Sequence, residues 1–458
     1  EHNPNFWLHR GFMMKNRNWL SQRVIRLNPP QVLMLGFFAM ILLGGLLLKL
    51  PFATEHSISW IDAYFTATSA TTVTGLGVVD TGTTFTLFGQ IVILFLIQIG
   101  GVGFMSVAVL IILTLGKRIG LKQRLLIKEA LNQTSVGGVI RLVKRLLLLS
   151  AIIEAIAVVF LTFRWAPDFG FWRGLYYSIF HVVAAFNNAG FSIWPDSLSR
   201  YVSDPIVNLV IPFLYIIGGL GFTVLTDIWN SKDFKSLSLH SKLSLVGTIG
   251  LIIFGMLIVL LIEFNNPKTI GHLTFSGKMW ASFLLGTAPR SAGFNTIDIG
   301  DMNETGLLLT IFLMFIGSGS ASTGGGIKVT TFLVLLISVV GFISGKDNPV
   351  VFGRWIKKES VSKAMAIFVM SQTFIFLAVC VLMFTERSNF LPVLFEVVSA
   401  FSTTGLTMGL TTHLSGIGKL IIIVIMYTGL VGPLTIFFSL SQPQKAKIKY
   451  PSEDIMTG

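Results

Sequence analysis

The sequence predicts an all-α polytopic membrane protein, from its composition, its apolar segments and an internal repeat. Of the 458 residues, 53% are hydrophobic and only 12% are charged, which is more apolar surface than a soluble domain of this size can bury. Several segments of about 20 residues carry few or no charges, and that length crosses ~30 Å of hydrocarbon. A short glycine-centred pattern occurs four times, which indicates four structurally equivalent units.

The repeated pattern is a glycine followed by a large apolar residue, with a phenylalanine ten residues before the glycine. We define the first to fourth glycine turns as residues 71–76, 187–191, 290–294 and 402–406, which are centred on Gly75, Gly190, Gly293 and Gly405. The phenylalanines are Phe65, Phe180, Phe283 and Phe395. One such turn carries no information, but four in register predict a fourfold repeat.

Each repeat is predicted to contain a crossing helix, a short half-helix, the glycine turn and a second crossing. The repeats span roughly 31–114, 141–228, 241–341 and 362–440. The first crossings are predicted at 31–50, 141–163, 241–263 and 362–385, and the second crossings at 87–114, 205–228, 305–341 and 416–440. The half-helices are predicted at 59–70, 173–186, 277–289 and 391–402 and are too short to span a bilayer. The sequence therefore predicts eight transmembrane helices and four re-entrant half-helices around one pseudo-fourfold pore, in a single domain over 1–458.

Basic residues are concentrated in alternate connections, and this distribution explains the net charge of +13. They cluster in 1–30, 117–145, 232–242, 346–363 and the tail, whereas the other connections carry more acidic residues. By the positive-inside rule, both termini, with tails 1–30 and 442–458, are expected in the cytoplasm of a multi-pass cell-membrane protein. Residues 1–30 are polar and basic and do not resemble a signal peptide. Anionic lipid headgroups are expected to bind these loops, and nucleic acid is not.

Several other classes of function find no support in the sequence. The chain has no phosphate-binding loop, so it is not expected to be an ATPase or another enzyme. Its histidines show no i, i+4 pairing for a metal, and His181 is interpreted as a structural histidine. The single cysteine, Cys380, excludes an intramolecular disulfide and is interpreted as a small packing residue.

The glycine turns are predicted to form an ion-selective site. Backbone that is not helical at membrane depth is tolerated where it lines a water-filled cavity, and a ring of its carbonyl oxygens replaces the hydration shell of a cation. The turns contain no carboxylate, which favours a large monovalent cation over a divalent one. The predicted ion-binding residues are Val73, Thr74, Gly75, Asn188, Ala189, Gly190, Ser291, Ala292, Gly293, Thr403, Thr404 and Gly405. Arg290 is expected at the back of its half-helix, outside the pore.

A second set of glycines and one glycine–serine segment mark the second crossings. Gly100, Gly218, Gly317 and Gly429 follow the turns by 24 to 28 residues, which suggests either close helix packing or a shared constriction. In the third repeat the crossing contains Gly317, Ser318, Gly319, Ser320, Ala321, Ser322, Thr323, Gly324, Gly325 and Gly326. No uninterrupted helix is expected there. We interpret this segment as a flexible gate, with a packing kink as the alternative, and Lys328 as an ion sensor or an interfacial lysine.

With its four glycine turns and the Ser-Thr-Gly-Gly-Gly-Ile-Lys text at residues 322–328, the chain resembles the Trk/Ktr/HKT superfamily of cation transporters over about 30–440. Within that superfamily it is most similar to the membrane subunits of bacterial Ktr potassium uptake systems. The resemblance implies a homodimer with one pore per subunit, docked on a cytoplasmic ring of nucleotide-binding regulatory subunits. Because the family associates glycine at the first filter position with potassium and serine with sodium, Gly75 implies K⁺; a dependence on Na⁺ stays open.

One position departs from the family pattern, and one rival class of function remains. The family usually carries an arginine in the last crossing, near the constriction, where this chain has Leu430. A cation there would act as an electrostatic barrier, and the uncharged Leu430 does not supply one. The rival is a proton- or sodium-coupled secondary transporter, which also uses broken helices and midplane glycines. Its repeats would have opposite topology, whereas these four share one topology.

Overall fold

The computed structural model describes residues 29–103, 106, 125, 139–345 and 349–440, and this part of the chain is mostly helical. The helices of its first half are α1 Pro29–Leu48, α2 Trp60–Thr71, α3 Thr81–Thr84, α4 Leu87–Val102, α5 Val139–Phe169, α6 Phe171–Phe186, α7 Pro205–Leu220 and α8 Phe222–Asn230. The predicted half-helices at 59–70 and 173–186 correspond to α2 and α6 within two residues at each end. The predicted helix at 141–163 is longer than expected, because α5 continues through Pro167 to Phe169.

The second half follows the same order of elements. Its helices are α9 Leu239–Glu263, α10 Phe275–Thr287, α11 Glu304–Phe315, α12 Val329–Ile343, α13 Lys358–Thr385, α14 Phe390–Phe401, α15 Gly416–Val431 and α16 Pro433–Leu440. A two-stranded antiparallel hairpin, β1 Val350–Val351 and β2 Arg354–Trp355, connects α12 to α13. Short 3₁₀ turns lie at Ser199–Tyr201, Phe234–Ser236, Ile299–Asp301 and Thr411–His413.

Polar caps fix the starting points of helices on both sides of the glycine turns. The Ser59 hydroxyl accepts from the Asp62 N–H at the start of α2, and Thr274 caps α10 in the same way. After the turns, Asp204 caps α7 and Ser415 caps α15. Each cap satisfies a backbone donor that has no partner within its helix, so the short helices begin at defined residues although they are apolar.

The second crossings predicted at 205–228 and 416–440 are not continuous helices, and this part of the prediction is wrong. Gly221 adopts φ 98° between α7 and α8, whose axes differ by 91°. Gly432 adopts φ 85° between α15 and α16, and Gly103 ends α4 with φ 85°. Glycine reaches this left-handed region without a steric penalty, so a single residue is enough to break an apolar helix. The continuation of the predicted helix 87–114 lies outside the described residues.

Long apolar helices surround a buried set of shorter ones. Within the described residues, α1, α5, α9 and α13 are long and apolar enough to cross a membrane, and the bent pair α7–α8 would be a fifth such span. The phenylalanines Phe65, Phe180 and Phe395 of the short helices are fully buried. Cys380 is exposed on α13, so its interpretation as a packing residue is wrong. The fold therefore encloses the short helices and the glycine turns that follow them.

Candidate functional site

Three of the four glycine turns leave their half-helices through the same hydrogen-bonded cap. The N–H of Thr74 donates to the carbonyl of Ser69 at 2.8 Å. The corresponding bonds are Ala189 to Ala184 at 2.7 Å and Thr404 to Ser399 at 2.9 Å. This six-to-one bond is the Schellman arrangement, which requires a left-handed residue just before the donor. Val73, Asn188 and Thr403 supply it, with φ 50°, 58° and 47°.

A β-branched residue with positive φ is a genuine conformational outlier, because its Cβ is crowded there. Val73 and Thr403 nevertheless adopt this conformation, and Gly75 and Gly405 follow two residues later with φ 88°. Such strain costs on the order of 1–3 kcal/mol per residue and is found at sites where the surrounding structure dictates the backbone path. The strain therefore identifies the turns as a candidate site, independently of their repetition in the sequence.

The four glycines meet in a closed ring of backbone contacts. We measure each contact from the position that an added Cβ atom would occupy on the glycine. For Gly75 in the first turn, that position lies 2.3 Å from the Ala189 oxygen of the second turn, and for Gly190 it lies 2.8 Å from the Gly293 Cα of the third turn. For Gly293 it lies 2.4 Å from the Thr404 oxygen of the fourth turn, and for Gly405 it lies 2.1 Å from the Thr74 oxygen of the first turn. Each turn thus touches the next, and the fourth returns to the first. No side chain fits at any of the four positions.

Three of the four ring glycines are partly exposed, and the residues around them are buried. Gly75, Gly190 and Gly405 are half-buried, whereas Gly293 and the other predicted ion-binding residues of the four turns are buried. Side-chain hydrogen bonds tie neighbouring turns together: the Ser291 hydroxyl donates to the Ser402 carbonyl at 2.8 Å. The structure thus brings all twelve predicted ion-binding residues to one place. Their carbonyls and hydroxyls are oxygen donors, and none of the twelve residues carries a charge.

The third turn departs from the other three. Pro289 has no N–H, and the Ala292 N–H donates to Ala288 at 3.0 Å instead of making the six-to-one bond. The Arg290 guanidinium is buried and donates to the backbone oxygen and the hydroxyl of Thr248 on α9, at 3.3 and 3.1 Å. It therefore lies at the back of α10, as expected. A cation just beyond the C-terminal end of a helix also offsets the negative end of its dipole.

The second set of glycines packs against the ends of the half-helices. A Cβ on Gly100, Gly218 or Gly429 would lie 2.1, 2.0 and 2.0 Å from the carbonyl oxygens of Thr71, Phe186 and Phe401, respectively. Each of those carbonyls belongs to the residue four positions before a ring glycine. Gly317 differs, because its closest contact is the Gly325 carbonyl. Close packing explains the three shared contacts, and a shared constriction at this level remains a prediction.

Substitution of one of these glycines is expected to lower stability. In Gly429→Ala the methyl group would overlap the Phe401 carbonyl, and such overpacking typically costs about 1–3 kcal/mol. We expect a fall of several degrees in the thermal unfolding midpoint of the purified protein. Gly250→Ala is the matched control, because Gly250 lies in α9 with open space around it. Alanine favours a helix by about 1 kcal/mol over glycine, so the control should be unchanged or more stable. Equal midpoints for the two variants would contradict the packing assignment.

The segment 317–326 is irregular, as its composition predicts, and crosses directly below the ring. Helix α11 ends at Phe315 and α12 begins at Val329, with a single parallel bridge between Ile316 and Ile327. The Thr323 hydroxyl donates to the Asn188 side-chain oxygen at 2.7 Å, and the Gly325 N–H donates to the Thr403 hydroxyl at 2.9 Å. The segment is therefore attached to the second and fourth turns by its own polar groups.

Further bonds attach the same segment to the broken helix pair α7–α8. The Gly319 N–H donates to the Gly219 carbonyl at 2.7 Å, and the Phe222 N–H donates to the Ala321 carbonyl at 2.9 Å. The break at Gly221 exposes the backbone groups that these bonds use, since a continuous helix would satisfy them internally. The two irregular regions thus complete each other's hydrogen bonding.

Lys328 and a cavity lie on the side of the segment away from the ring. The Lys328 ammonium donates to the Gly324 carbonyl at 2.5 Å, so it is bound to the segment and half-buried. The cavity has a volume of about 350 Å³ and is lined by Gly100, Ala321, Lys328, Phe401 and Leu430, among others. Leu430 therefore faces the space below the ring, where the family pattern has an arginine.

A chain of side-chain hydrogen bonds lies behind the second turn, and none of its residues was among the predicted site residues. The Asn187 amide donates to the Gln98 oxygen at 2.7 Å, and the Gln98 amide donates to Glu154 at 3.2 Å. Gln98 and Glu154 lie in α4 and α5, and Asn187 directly follows α6, so only the packing of three helices brings them together. The signal available in the sequence was one glutamate and one glutamine within apolar segments, where polar groups are costly and have partners.

A mostly helical, apolar fold with helices long enough to cross a membrane is the architecture of a membrane protein. Residues 31–450 match the TrkH family, whose description is "Cation transport protein", and the chain belongs to this family. The family is one of transporters and not of enzymes.

Relatives of the chain cover it almost completely. It is 54% identical to the Ktr system potassium uptake protein B of Bacillus subtilis (strain 168), over 95% of this chain and 98% of that protein. It is 44% identical to the protein of the same name from Vibrio alginolyticus, over 94% and 95%. It is 42% identical to the potassium/sodium uptake protein NtpJ of Enterococcus hirae, over 94% and 98%. The crystal structure of the potassium transporter TrkH from Vibrio parahaemolyticus shares the fold, with a TM-score of 0.68 and 21% identity over 89% of this chain and 85% of that chain.

Proposed function

We propose that the chain carries K⁺ across the cell membrane through the ring formed by Gly75, Gly190, Gly293 and Gly405. The observation that carries this proposal is the closed set of contacts in which each glycine turn packs against the next. A ring of backbone from four equivalent segments, without room for side chains, leaves carbonyl oxygens as the groups that line the opening. Such oxygens replace the water shell of a monovalent cation.

The electrostatics of the site agree with a weakly hydrated monovalent ion. Helices α2, α6 and α14 end at the ring, so the negative ends of their dipoles face it. Because no carboxylate lies in the turns, the site attracts a cation without holding it as tightly as a calcium site would. An ion that is bound weakly leaves readily, which conduction requires. The transport is therefore passive, driven by the electrochemical gradient of the ion.

The architecture that we propose for this function has four repeats around one pore in a single domain over 1–458. The long helices α1, α5, α9 and α13 form the first crossing of each repeat, and α2, α6, α10 and α14 are the re-entrant half-helices. The second crossing of each repeat is interrupted by glycine. Two crossings in each of four repeats make eight in total, and this even number leaves both termini on the same side of the membrane, in the cytoplasm. A broken crossing is tolerated in a membrane because water in a pore satisfies the free backbone groups.

We propose that residues 317–326 and Lys328 form the gate of this pore. The segment lies between the ring and the cavity and is fixed by polar bonds to the second and fourth turns. These bonds are few and polar, so the segment can leave the path by exchanging them for bonds to water that enters the pore, without disturbing a hydrophobic core. The Lys328 ammonium adds a positive charge at the same level, which opposes the passage of a cation while the segment is in place.

The names of the relatives support a choice of transported ion and of partner proteins. Both Ktr proteins are named for potassium uptake, and the Enterococcus protein for potassium and sodium. We propose K⁺ as the cargo, with Na⁺ as the competing or coupled ion. The word "system" in the Ktr names supports a partner subunit, and we propose a homodimer on a cytoplasmic nucleotide-binding regulatory ring. Membrane lipid is proposed as the other partner of the basic loops.

The proposal is tested with this chain alone in proteoliposomes, by comparing uptake of K⁺ and Na⁺ with and without an imposed membrane potential. Potential-driven K⁺ uptake in the absence of any other ion gradient is expected for a pore. Uptake that strictly requires a proton or sodium gradient would contradict the pore and support an ion-coupled secondary transporter. Empty vesicles treated in the same way give the background leak.

A further inference from the structure

In two of the four glycine turns, the side chain nine residues before the glycine is hydrogen-bonded to the hydroxyl two residues after it. In the second turn, the Ser192 hydroxyl, two residues after Gly190, pairs with His181 Nε2 at 3.1 Å. In the fourth turn, the Thr407 hydroxyl, two residues after Gly405, donates to Glu396 Oε2 at 2.8 Å. His181 and Glu396 each stand nine residues before their glycine, so the two bonds are equivalent in the repeat. We refer to them as the straps.

The donor and acceptor roles in the straps follow from their other partners. His181 Nδ1 lies 2.8 Å from the Tyr177 carbonyl, which can only accept, so Nδ1 carries the proton and Nε2 accepts from Ser192. Glu396 accepts from Thr407 through one oxygen and from Thr411 through the other. Both acceptors are fully buried, whereas Ser192 and Thr407 are half-buried, so each strap bond is shielded from water on its acceptor side.

Each strap hydroxyl also closes a turn in the chain that leaves the ring. The Trp194 N–H donates to the Ser192 oxygen at 2.9 Å, and the Gly409 N–H donates to the Thr407 oxygen at 3.0 Å. Trp194 additionally stacks on His181, with 4.3 Å between the ring centres. The ring glycine is thus held between two fixed points, a half-helix residue before it and a turned backbone after it.

Among the described residues, the first and third turns have no such bond. Thr66 and Leu284 occupy the position nine residues before the glycine, and Gly77 and Asn295 the position two residues after it. The buried Thr66 hydroxyl has no hydrogen-bond partner in the described part of the chain, and Leu284 cannot make one. Since the ring runs from the first turn to the fourth in order, the two strapped turns face each other across its centre.

We propose that the straps are positioning elements for ion selection, with His181, Ser192, Glu396 and Thr407 fixing the carbonyls of Gly190 and Gly405 on opposite sides of the ring. Fixed oxygens cannot close around an ion smaller than the one that they fit, and a smaller ion therefore loses binding energy that K⁺ keeps. This inference rests on the proposed function, because it assigns the selectivity of that same ring to particular residues. The first and third turns lack this particular restraint.

The test measures the ratio of K⁺ to Na⁺ uptake by the full chain in proteoliposomes. Ser192→Ala and Thr407→Val remove one strap each, whereas Ser192→Thr and Thr407→Ser keep the hydroxyl. We expect each removal to lower the ratio by about three- to tenfold, which corresponds to one lost hydrogen bond. The double removal should lower it further, and the hydroxyl-keeping variants should keep the original ratio. A purely structural role would reduce both uptakes together and leave the ratio unchanged.

The controls separate this inference from the function on which it rests. Thr66→Val changes the equivalent position of the unstrapped first turn and should not change the ratio. Glu396→Met keeps a similar volume and removes both acceptor oxygens, so it tests the fourth strap should Thr407→Val fail to fold, and it should also lower the ratio. If strap removal leaves the ratio unchanged while Gly75→Ser lowers it in the same assay, the proposed role of the straps is refuted and the proposed role of the ring as the filter is retained. If Gly75→Ser also has no effect, the ring itself is refuted. A lowered ratio in Ser192→Thr and Thr407→Ser would likewise overturn the straps.

Discussion

Replacement of Gly75 by serine is expected to lower the ratio of K⁺ to Na⁺ flux by about tenfold or more. The Cβ of the serine would lie 2.3 Å from the Ala189 carbonyl oxygen, at a residue whose φ of 88° already disfavours a side chain. That carbonyl must move, and the ring loses one oxygen of fixed position. A bond between a fixed dipole and a charge contributes about 1.5–3 kcal/mol, and 1.4 kcal/mol corresponds to a factor of ten.

Relative fluxes of K⁺ and Na⁺ in proteoliposomes measure this effect directly. Gly353→Ser is the matched control, because Gly353 also has a positive φ, of 70°, but has open space around it in the β1–β2 hairpin. It introduces the same side chain and similar backbone strain far from the ring, and it should leave the flux ratio unchanged. Unchanged relative fluxes in Gly75→Ser, with a folded protein, would refute the assignment of the ring as the selectivity filter.

Removal of residues 320–322 is expected to raise K⁺ flux on the order of tenfold in the absence of any regulatory partner, since a barrier lower by about 1.4 kcal/mol has that effect. The deletion removes the Ala321 carbonyl that accepts from the Phe222 N–H, and the Ser322 hydroxyl that pairs with Ser318 at 2.7 Å. The remaining chain is too short to cross below the ring as it does now. The rate of K⁺ uptake per folded protein is the measurement.

A milder variant tests the same gate without shortening the chain. Thr323→Val removes the hydroxyl that donates to Asn188 and keeps the volume of the side chain, so we expect a smaller increase of about two- to tenfold. Ser338→Ala is its control, because the Ser338 hydroxyl bonds within α12, to the Val334 carbonyl at 2.7 Å. A deletion variant that is folded but carries no more K⁺ than the original chain would argue against a gate in this segment.

The sequence by itself determined the class of protein and the location of the candidate site. Low charge and long apolar segments require a membrane environment, whatever the packing of the helices. The repetition of the glycine turns in register identified Gly75, Gly190, Gly293 and Gly405, since equivalent residues in a repeat take equivalent places. The composition of 317–326 predicted a break between helices, because glycine and serine favour irregular backbone. All these signals are local in the chain or periodic along it.

Only the tertiary structure decided how these parts meet. In the sequence, a glycine that breaks a helix cannot be distinguished from one that permits close helix packing. The sequence therefore predicted continuous helices at Gly221 and Gly432, where the structure has breaks. The bonds from Thr323 to Asn188 and from Gln98 to Glu154 join residues that are 135 and 56 positions apart, so no local sequence pattern predicts them. The straps join residues only eleven positions apart, yet His181 and Glu396 differ in chemistry. Their equivalence is geometric: both side chains accept a hydrogen bond at the same place behind the ring.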